Sequence, residues 1–420
     1  MAKVKVCDAM MGSGKTTAAI DYMNTHRDRH FLFITPYLKE CDRIKEQCNS
    51  RSRKFSAPWQ DENSKFENMH ELLERGECLA STHAMMHKFN ARTVELIKRW
   101  HYTLVLDEVF DVLNVTDLSP EDIGMLRRNG VISVDSDGMV KWNDDSYGES
   151  GVFYDFKLLC DQGLVRESGS DILVWQFPKS VFEAFDEIII LTYMFDSQIQ
   201  RAYFDINHID YEYVGVRQTD NGGYEFCNTC NASIARKDFR PLIHIIERDD
   251  LNAVGDARGA LSISWVRRER ENGGENIEAI NRNVENIRRN IWNADADSIL
   301  WTTARDSRSA FEKGRLVDKK DKRFLSWNYR ATNEYRHKTH LFYLHNVFLN
   351  PNILSYLREY GADVTEDDYA RSALIQWIWR SAIRDNREIW LYIPSRRMRD
   401  ILTDWLDEVT GGPRTTSSLL

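Results

Sequence analysis

Near the start of the chain, Met11-Gly12-Ser13-Gly14-Lys15-Thr16-Thr17 has the residue types of a phosphate grip. Glycines let a backbone bend so that successive N–H groups point at phosphate oxygens, and a following helix adds the positive end of its dipole. Lys15 would reach the β- and γ-phosphates of a nucleoside triphosphate, and the Thr16 hydroxyl would ligate Mg²⁺. The apolar run Thr103-Leu104-Val105-Leu106 ends in Asp107-Glu108. A carboxylate pair at a strand tip suits metal and water chemistry. Asp107 would hold Mg²⁺ directly or through water, and Glu108 would polarise an attacking water. In α/β sheets, ligands sit outside the carboxyl ends of the strands.

The elements around these residues are the ones such chemistry needs. Val4–Cys7 reads as a short strand before the loop, and the residues after Gly14 read as a helix. Phe31–Thr35, Cys78–Ser81 and Thr103–Leu106 read as further apolar strands. Continuous apolar strands alternating with helices predict a parallel sheet covered on both faces. From about 112 to 185 the pattern changes. Val131–Trp142 reads as a hairpin about Ser136-Asp137-Gly138, inside an inserted subdomain. The sheet pattern resumes at Glu187–Thr192. Arg267–Arg289 reads as one solvated helix. Ser298–Thr303 and Glu388–Ile393 read as strands, Thr339–Leu349 as a helix stopped near Pro351, and Tyr369–Arg384 as an amphipathic helix. The predicted domains are 1–200 with its insertion at 112–185, a linker or accessory region at 201–290, a second α/β domain at 291–409, and a loose tail at 410–420.

The bulk properties restrict the function. A chain of 420 residues with 42% hydrophobic and 29% charged residues is an ordinary globular protein of two or three domains. The net charge of −9 argues against coating nucleic acid by bulk charge, though not against a local basic groove. Seven cysteines in a long chain read as reduced thiols, which places the protein in the cytoplasm. The absence of an uncharged run of about 18 apolar residues predicts no membrane helix.

With these motifs in place, the chain resembles superfamily 2 helicases. Ala9-x-x-Gly12-Ser13-Gly14-Lys15-Thr16 followed by Asp107-Glu108 matches their nucleotide motifs, with Ala9 in place of the usual first glycine. Thr35-Pro36-Tyr37 and Ser81-Thr82-His83 resemble segments that contact nucleic acid, and Leu191-Thr192-Tyr193-Met194 sits at the S/T-A-T coupling motif. Trp301-Thr302-Thr303, Tyr329-Arg330-Ala331-Thr332-Asn333 and Gln376-x-x-x-Arg380-x-x-x-Arg384 resemble motifs IV, V and VI. The last departs from the family: Trp379 replaces its glycine, and Ile383 stands where its second arginine belongs. The set spans about 9–390 and is most similar to helicase-like proteins of bacteriophages, more distantly to origin-binding helicases of herpesviruses.

The resemblance implies two RecA-like domains, parallel sheets flanked by helices, with ATP and Mg²⁺ in the cleft between them. Gln376 and Arg380 would reach the nucleotide from the second domain, Arg380 as an arginine finger and Arg384 beside it. Their four-residue spacing predicts one helix face for all three. The resemblance also implies that Thr35, Pro36, Thr82, His83, Thr302, Thr303, Arg330, Thr332 and Asn333 contact nucleic acid, with single-stranded or forked DNA as partner alongside replication or recombination proteins. Eight residues precede the loop, too few for the family's adenine-reading Q-motif, so the resemblance does not fix ATP over other nucleoside triphosphates.

Other features point elsewhere. Cys227-x-x-Cys230 has metal-ligand spacing, but no second pair accompanies it, and plain thiols are the simpler reading. The C-terminal tryptophans read as core. Tyr329, Arg330, Tyr335, Arg336, His337 and Lys338 fit either a groove that tracks a nucleic-acid backbone or a solvated loop. Asp363 and Glu366-Asp367-Asp368 read as a solvated acidic loop, which weakens a terminase-like ATPase–nuclease reading. A P-loop kinase and a helicase-fold ATPase that clamps or remodels DNA without unwinding it complete the alternatives.

Overall fold

The computed structural model describes residues 2–48, 54–59, 64–169, 172–228, 238–312, 316, 323–329 and 334–410. The chain divides into two compact units. One comprises residues 1–8, 14–230 and 349–364, the other residues 9–13, 231–348 and 365–420.

The strands of the first unit are β1 (Lys3–Asp8), β2 (Phe31–Thr35), β3 (Phe55–Ser56), β4 (Cys78–Thr82), β5 (Thr103–Asp107), β6 (Leu113–Val115), β7 (Ile132–Val134), β8 (Val140–Trp142), β9 (Val165–Ser168), β10 (Ile172–Gln176), β11 (Glu187–Thr192), β12 (Tyr211–Gln218) and β13 (Tyr224–Cys227). Eight of them form one sheet in the order β13-β12-β1-β11-β5-β2-β4-β3. Its paired strands run parallel, except that β13 returns antiparallel to β12. All of β2, β5 and β11 is buried, as central strands with both faces covered must be. The helix α1 (Lys15–Thr25) follows β1 directly.

Residues 112–185 form a module of their own on β6-β10-β9 and the β7–β8 hairpin, the latter where Ser136-Asp137-Gly138 predicts it. Its small core joins Ile123, Leu126, Trp142, Phe156 and Leu173. The helix Pro351–Glu359, distant in sequence, belongs to the same unit. There Glu359 accepts hydrogen bonds from Ser168 Oγ (2.9 Å) and the Gly169 amide (3.3 Å).

The second unit has a parallel sheet of β14 (Ile243–Ile245), β15 (Ile299–Thr302), β16 (His340–Tyr343) and β17 (Ile389–Tyr392), in the order β14-β17-β16-β15. Trp301, Phe342 and Tyr392 project into a core shared with Ile277, Ile280 and Val284 of the helix Glu275–Asn286. Residues 201–290 are thus divided between the two sheets: β12 and β13 extend the first, and β14 edges the second.

Three elements differ from the sequence reading. Residues 339–349 hold the central strand β16, not a helix. A run without alternation fits a doubly covered strand as well as a buried helix. Pro351 opens the next helix, in its first turn behind an Asn350 cap, and does not stop one. The 267–289 segment is two helices, Ile263–Glu271 and Glu275–Asn286, separated by Gly273 and Gly274 at φ +92° and +74°, and its Ile277, Ile280, Val284 face is core. The helix Glu366–Ile378 is buried nearly all round over its last turns and stops well before Arg384. Residues 411–420, read as a tail, lie outside the described residues.

Candidate nucleotide site

The start of α1 is built for an anion. Gly12 and Gly14 adopt φ +84° and +92°, conformations that disfavour any residue with a Cβ. Gly14 is the N-cap of α1, and no side chain caps the helix; a helix start of this kind is where an anion binds. Ser13 Oγ is buried with no hydrogen-bond partner among the described residues. Burial lowers the pKa of Lys15, while Glu108, Cys7, Asp8 and Asp107 oppose that effect. A lysine held among carboxylates in a dry site is a strong point charge for phosphate.

The carboxylates sit at the end of β5, beside α1. Thr16 Oγ1 lies 3.5 Å from Asp107 Oδ1, and Thr35 Oγ1 lies 3.4 Å from Asp107 Oδ2. His83 Nε2 is 3.2 Å from the Asp107 carbonyl oxygen. Glu108 takes φ +68°, a left-handed backbone that costs on the order of 1–2 kcal/mol for a non-glycine residue. The Glu108 amide donates to Leu191 O at 2.9 Å, and Thr192 Oγ1 donates to Glu108 Oε2 at 3.4 Å. The end of β11 therefore holds the second acid in place. Thr16 and Asp107 fit a hydrated Mg²⁺: a hydroxyl and a carboxylate stand side by side at the phosphate loop.

Asp8 escaped the sequence reading. It is the last residue of β1, and its two carboxylate oxygens accept the Met194 and Phe195 amides, each at 2.8 Å. It thereby ties the end of β11, with Met194 at φ +57°, to the strand that precedes the loop. Burial raises its pKa against those two hydrogen bonds and the charge of Lys15. A carboxylate directly before a phosphate loop was the available signal.

Of the other residues singled out, Pro36, Thr82 and His83 are half-buried, whereas Thr35, Thr302 and Thr303 are fully buried. Thr35 spends its hydroxyl on Asp107, and no surface carries the Thr302 and Thr303 hydroxyls to a nucleic acid in this conformation. Arg330, Thr332 and Asn333 lie outside the described residues, as does Cys230, so the Cys227-x-x-Cys230 pair is not placed. No group of three His, Cys, Asp or Glu side chains among the described residues is set to hold a metal ion.

Motif VI needs a correction. Gln376 lies in the helix and donates to Ser372 Oγ at 3.1 Å, but the helix ends at Ile378. Arg380 sits in the following turn, buried, its amide bonded to Trp377 O at 3.0 Å. Arg384 falls in a separate 3₁₀ turn, Ala382–Asp385, so the three do not share one helix face. The mixed basic stretch, which fits either a groove or a solvated loop, lies partly outside the described residues, at Arg330. Arg336 is half-exposed and bonded to Asp385, and the Lys338 ammonium is buried against Asp297 O at 2.6 Å. The acids 366–368 form the first turn of a helix and not a loop, with Asp367 ion-paired to Arg397 at 2.7 Å. Trp301, Trp377, Trp379 and Trp405 are core, as read, whereas Trp327 and Trp390 are half-buried.

The chain thus folds as two α/β units of parallel strands flanked by helices, with a glycine-rich turn after β1 and Asp107-Glu108 at the end of β5. The fold is similar to the solved structure of S. tokodaii Xpd4, at a TM-score of 0.50 and 11% identity, over 96% of this chain and 94% of that one. Residues 237–406 match the family model described as the YonV C-terminal Rossmann-like domain, and residues 113–175, within the inserted module, match the YonV middle domain. The SPbeta prophage-derived uncharacterized protein YonV of Bacillus subtilis (strain 168) is 39% identical over 421 residues, covering 97% of this chain and 99% of that protein. The chain belongs to the YonV family.

Proposed function

We propose that this protein is an ATP-hydrolysing motor that moves along or unwinds nucleic acid, with single-stranded or forked DNA as its track in phage replication or recombination. One observation carries the reading: an uncapped helix start with Lys15 and Thr16 stands against Asp107 and Glu108 at the carboxyl end of a parallel sheet. The helix-start amides and Lys15 bind the phosphates. Thr16 and Asp107 would hold Mg²⁺, which when bound would offset phosphate charge. Glu108, fixed by Thr192, orients the attacking water and takes its proton. Gln376 and Arg380 act in turnover, Arg380 by stabilising developing phosphate charge, with Arg384 in support. Pro36, Thr82 and His83 are the described candidates for contact with nucleic acid.

The site lies among described residues in which no helix is long and apolar enough to cross a membrane, and we place its work in the cytoplasm. The test is ATP hydrolysis compared with no nucleic acid, single-stranded DNA, duplex, fork and RNA. Turnover rises with single-stranded or forked DNA and disappears in Lys15→Ala. A rate indifferent to every nucleic acid removes the motor reading; normal hydrolysis by Lys15→Ala removes the site.

A further inference from the structure

We infer that Tyr224 is the stacking platform for the base of the bound nucleotide, an inference that rests on the site proposed above. Tyr224 opens β13, at the far end of the sheet from the catalytic acids. It pairs with Gln218, the last residue of β12, so it stands at the same edge of the sheet as the carboxyl end of β1. Its ring lies directly on Gly14. A Cβ built on Gly14 would come 2.3 Å from the ring carbons Cδ1 and Cε1. The Tyr224 amide donates to Asp21 Oδ2 at 2.9 Å, which fixes the start of the strand to α1, and Phe226 of the same strand packs edge-on against Tyr22 at 5.9 Å.

Sheet order sets the direction of the nucleotide. Asp107 and Glu108 mark the γ-phosphate end, and β5 lies two strands from β1 on one side. Tyr224 lies two strands from β1 on the other. A triphosphate laid over the start of α1 with its γ-phosphate at the acids therefore directs its nucleoside toward Tyr224. An aromatic ring there, half-buried and held by backbone on one face, offers the other face to a base. Stacking tolerates every base, so the platform adds affinity for nucleosides without selecting adenine.

The experiment measures Mg²⁺-dependent binding of ATP and of ribose 5′-triphosphate, which lacks the base, to the full chain and to Tyr224→Ala, Tyr224→Phe and Tyr224→Trp. Wild type binds ATP the tighter. Tyr224→Ala weakens ATP roughly tenfold, given on the order of 1–3 kcal/mol per stacked base, and leaves ribose 5′-triphosphate within about twofold. The aromatic variants keep ATP affinity. Equal weakening of both ligands by Tyr224→Ala, or no weakening of ATP, overturns the platform. Wild type binding both ligands equally overturns the platform and leaves the phosphate site standing. Binding of neither ligand overturns the phosphate site and the platform with it.

Discussion

Removing the Asp8 carboxylate tests how the sheet end is held together. Its two oxygens accept the amides of Met194 and Phe195 at 2.8 Å each. Phe195 is fully buried, so in Asp8→Ala its amide loses its partner where water cannot replace it. That orphaned donor costs about 1–3 kcal/mol. The Met194 amide is half-buried and rehydrates in part, so its loss is nearer the net worth of a hydrogen bond to a charged group, about 1.5 kcal/mol. Together Asp8→Ala lowers stability by about 3–4 kcal/mol. Asp8→Asn keeps one acceptor and turns an NH₂ toward the other amide, for about half that loss. Urea unfolding followed by circular dichroism reads the effect. At a slope of about 3 kcal/mol per molar, the midpoint falls by about 1 M for Asp8→Ala. The order wild type, Asp8→Asn, Asp8→Ala is the signature. If Asp8→Ala unfolds within about 0.5 kcal/mol of wild type, the left-handed turn at Met194 holds itself and the carboxylate is not its anchor.

Three further substitutions probe other parts of the molecule. Glu108→Gln keeps ATP binding, because the Thr192 bond and the backbone at φ +68° survive, but phosphate release slows about 10²–10⁴-fold as the base is lost; an unimpaired rate moves the base elsewhere. His345 is buried, with Nδ1 3.3 Å from Leu261 O, and burial pushes its pKa down to about 4 from an ordinary value near 6.5. The unfolded chain takes up this proton first, so the stability held above about pH 6.5 is lost as pH falls toward 4, at up to about 1.4 kcal/mol per pH unit. His345→Gln flattens that acid slope in thermal unfolding, and an unchanged slope assigns it to other groups. A Cβ on Gly255 would sit 1.7 Å from Pro394 O, a backbone atom, so Gly255→Ala costs about 1–3 kcal/mol and several degrees of melting temperature; an unshifted transition means that the chain yields there without cost.

The candidate site is legible in the sequence because its residues are local. A phosphate loop needs glycines, a lysine and a hydroxyl within a few consecutive residues, and an acid pair ends an apolar strand in an unbroken string, so Gly12 to Thr16 and Asp107-Glu108 stand out in the sequence. The fold class follows from the same alternation of short apolar strands with helices. What the sequence left open depends on partners far along the chain. Whether the apolar run 339–349 is helix or strand was settled by β15 and β17 on either side of it. The four-residue spacing of Gln376, Arg380 and Arg384 promised one helix face, but the buried turn after Ile378 ended the helix first. Asp8 acquires its role from amides nearly two hundred residues away, and Tyr224 from a hairpin that folds back onto Gly14. Local composition determines which groups can act on a triphosphate. Only tertiary packing decides which of them are held and which are buried out of reach, because burial and long-range hydrogen bonds are properties of the folded chain and of no segment within it.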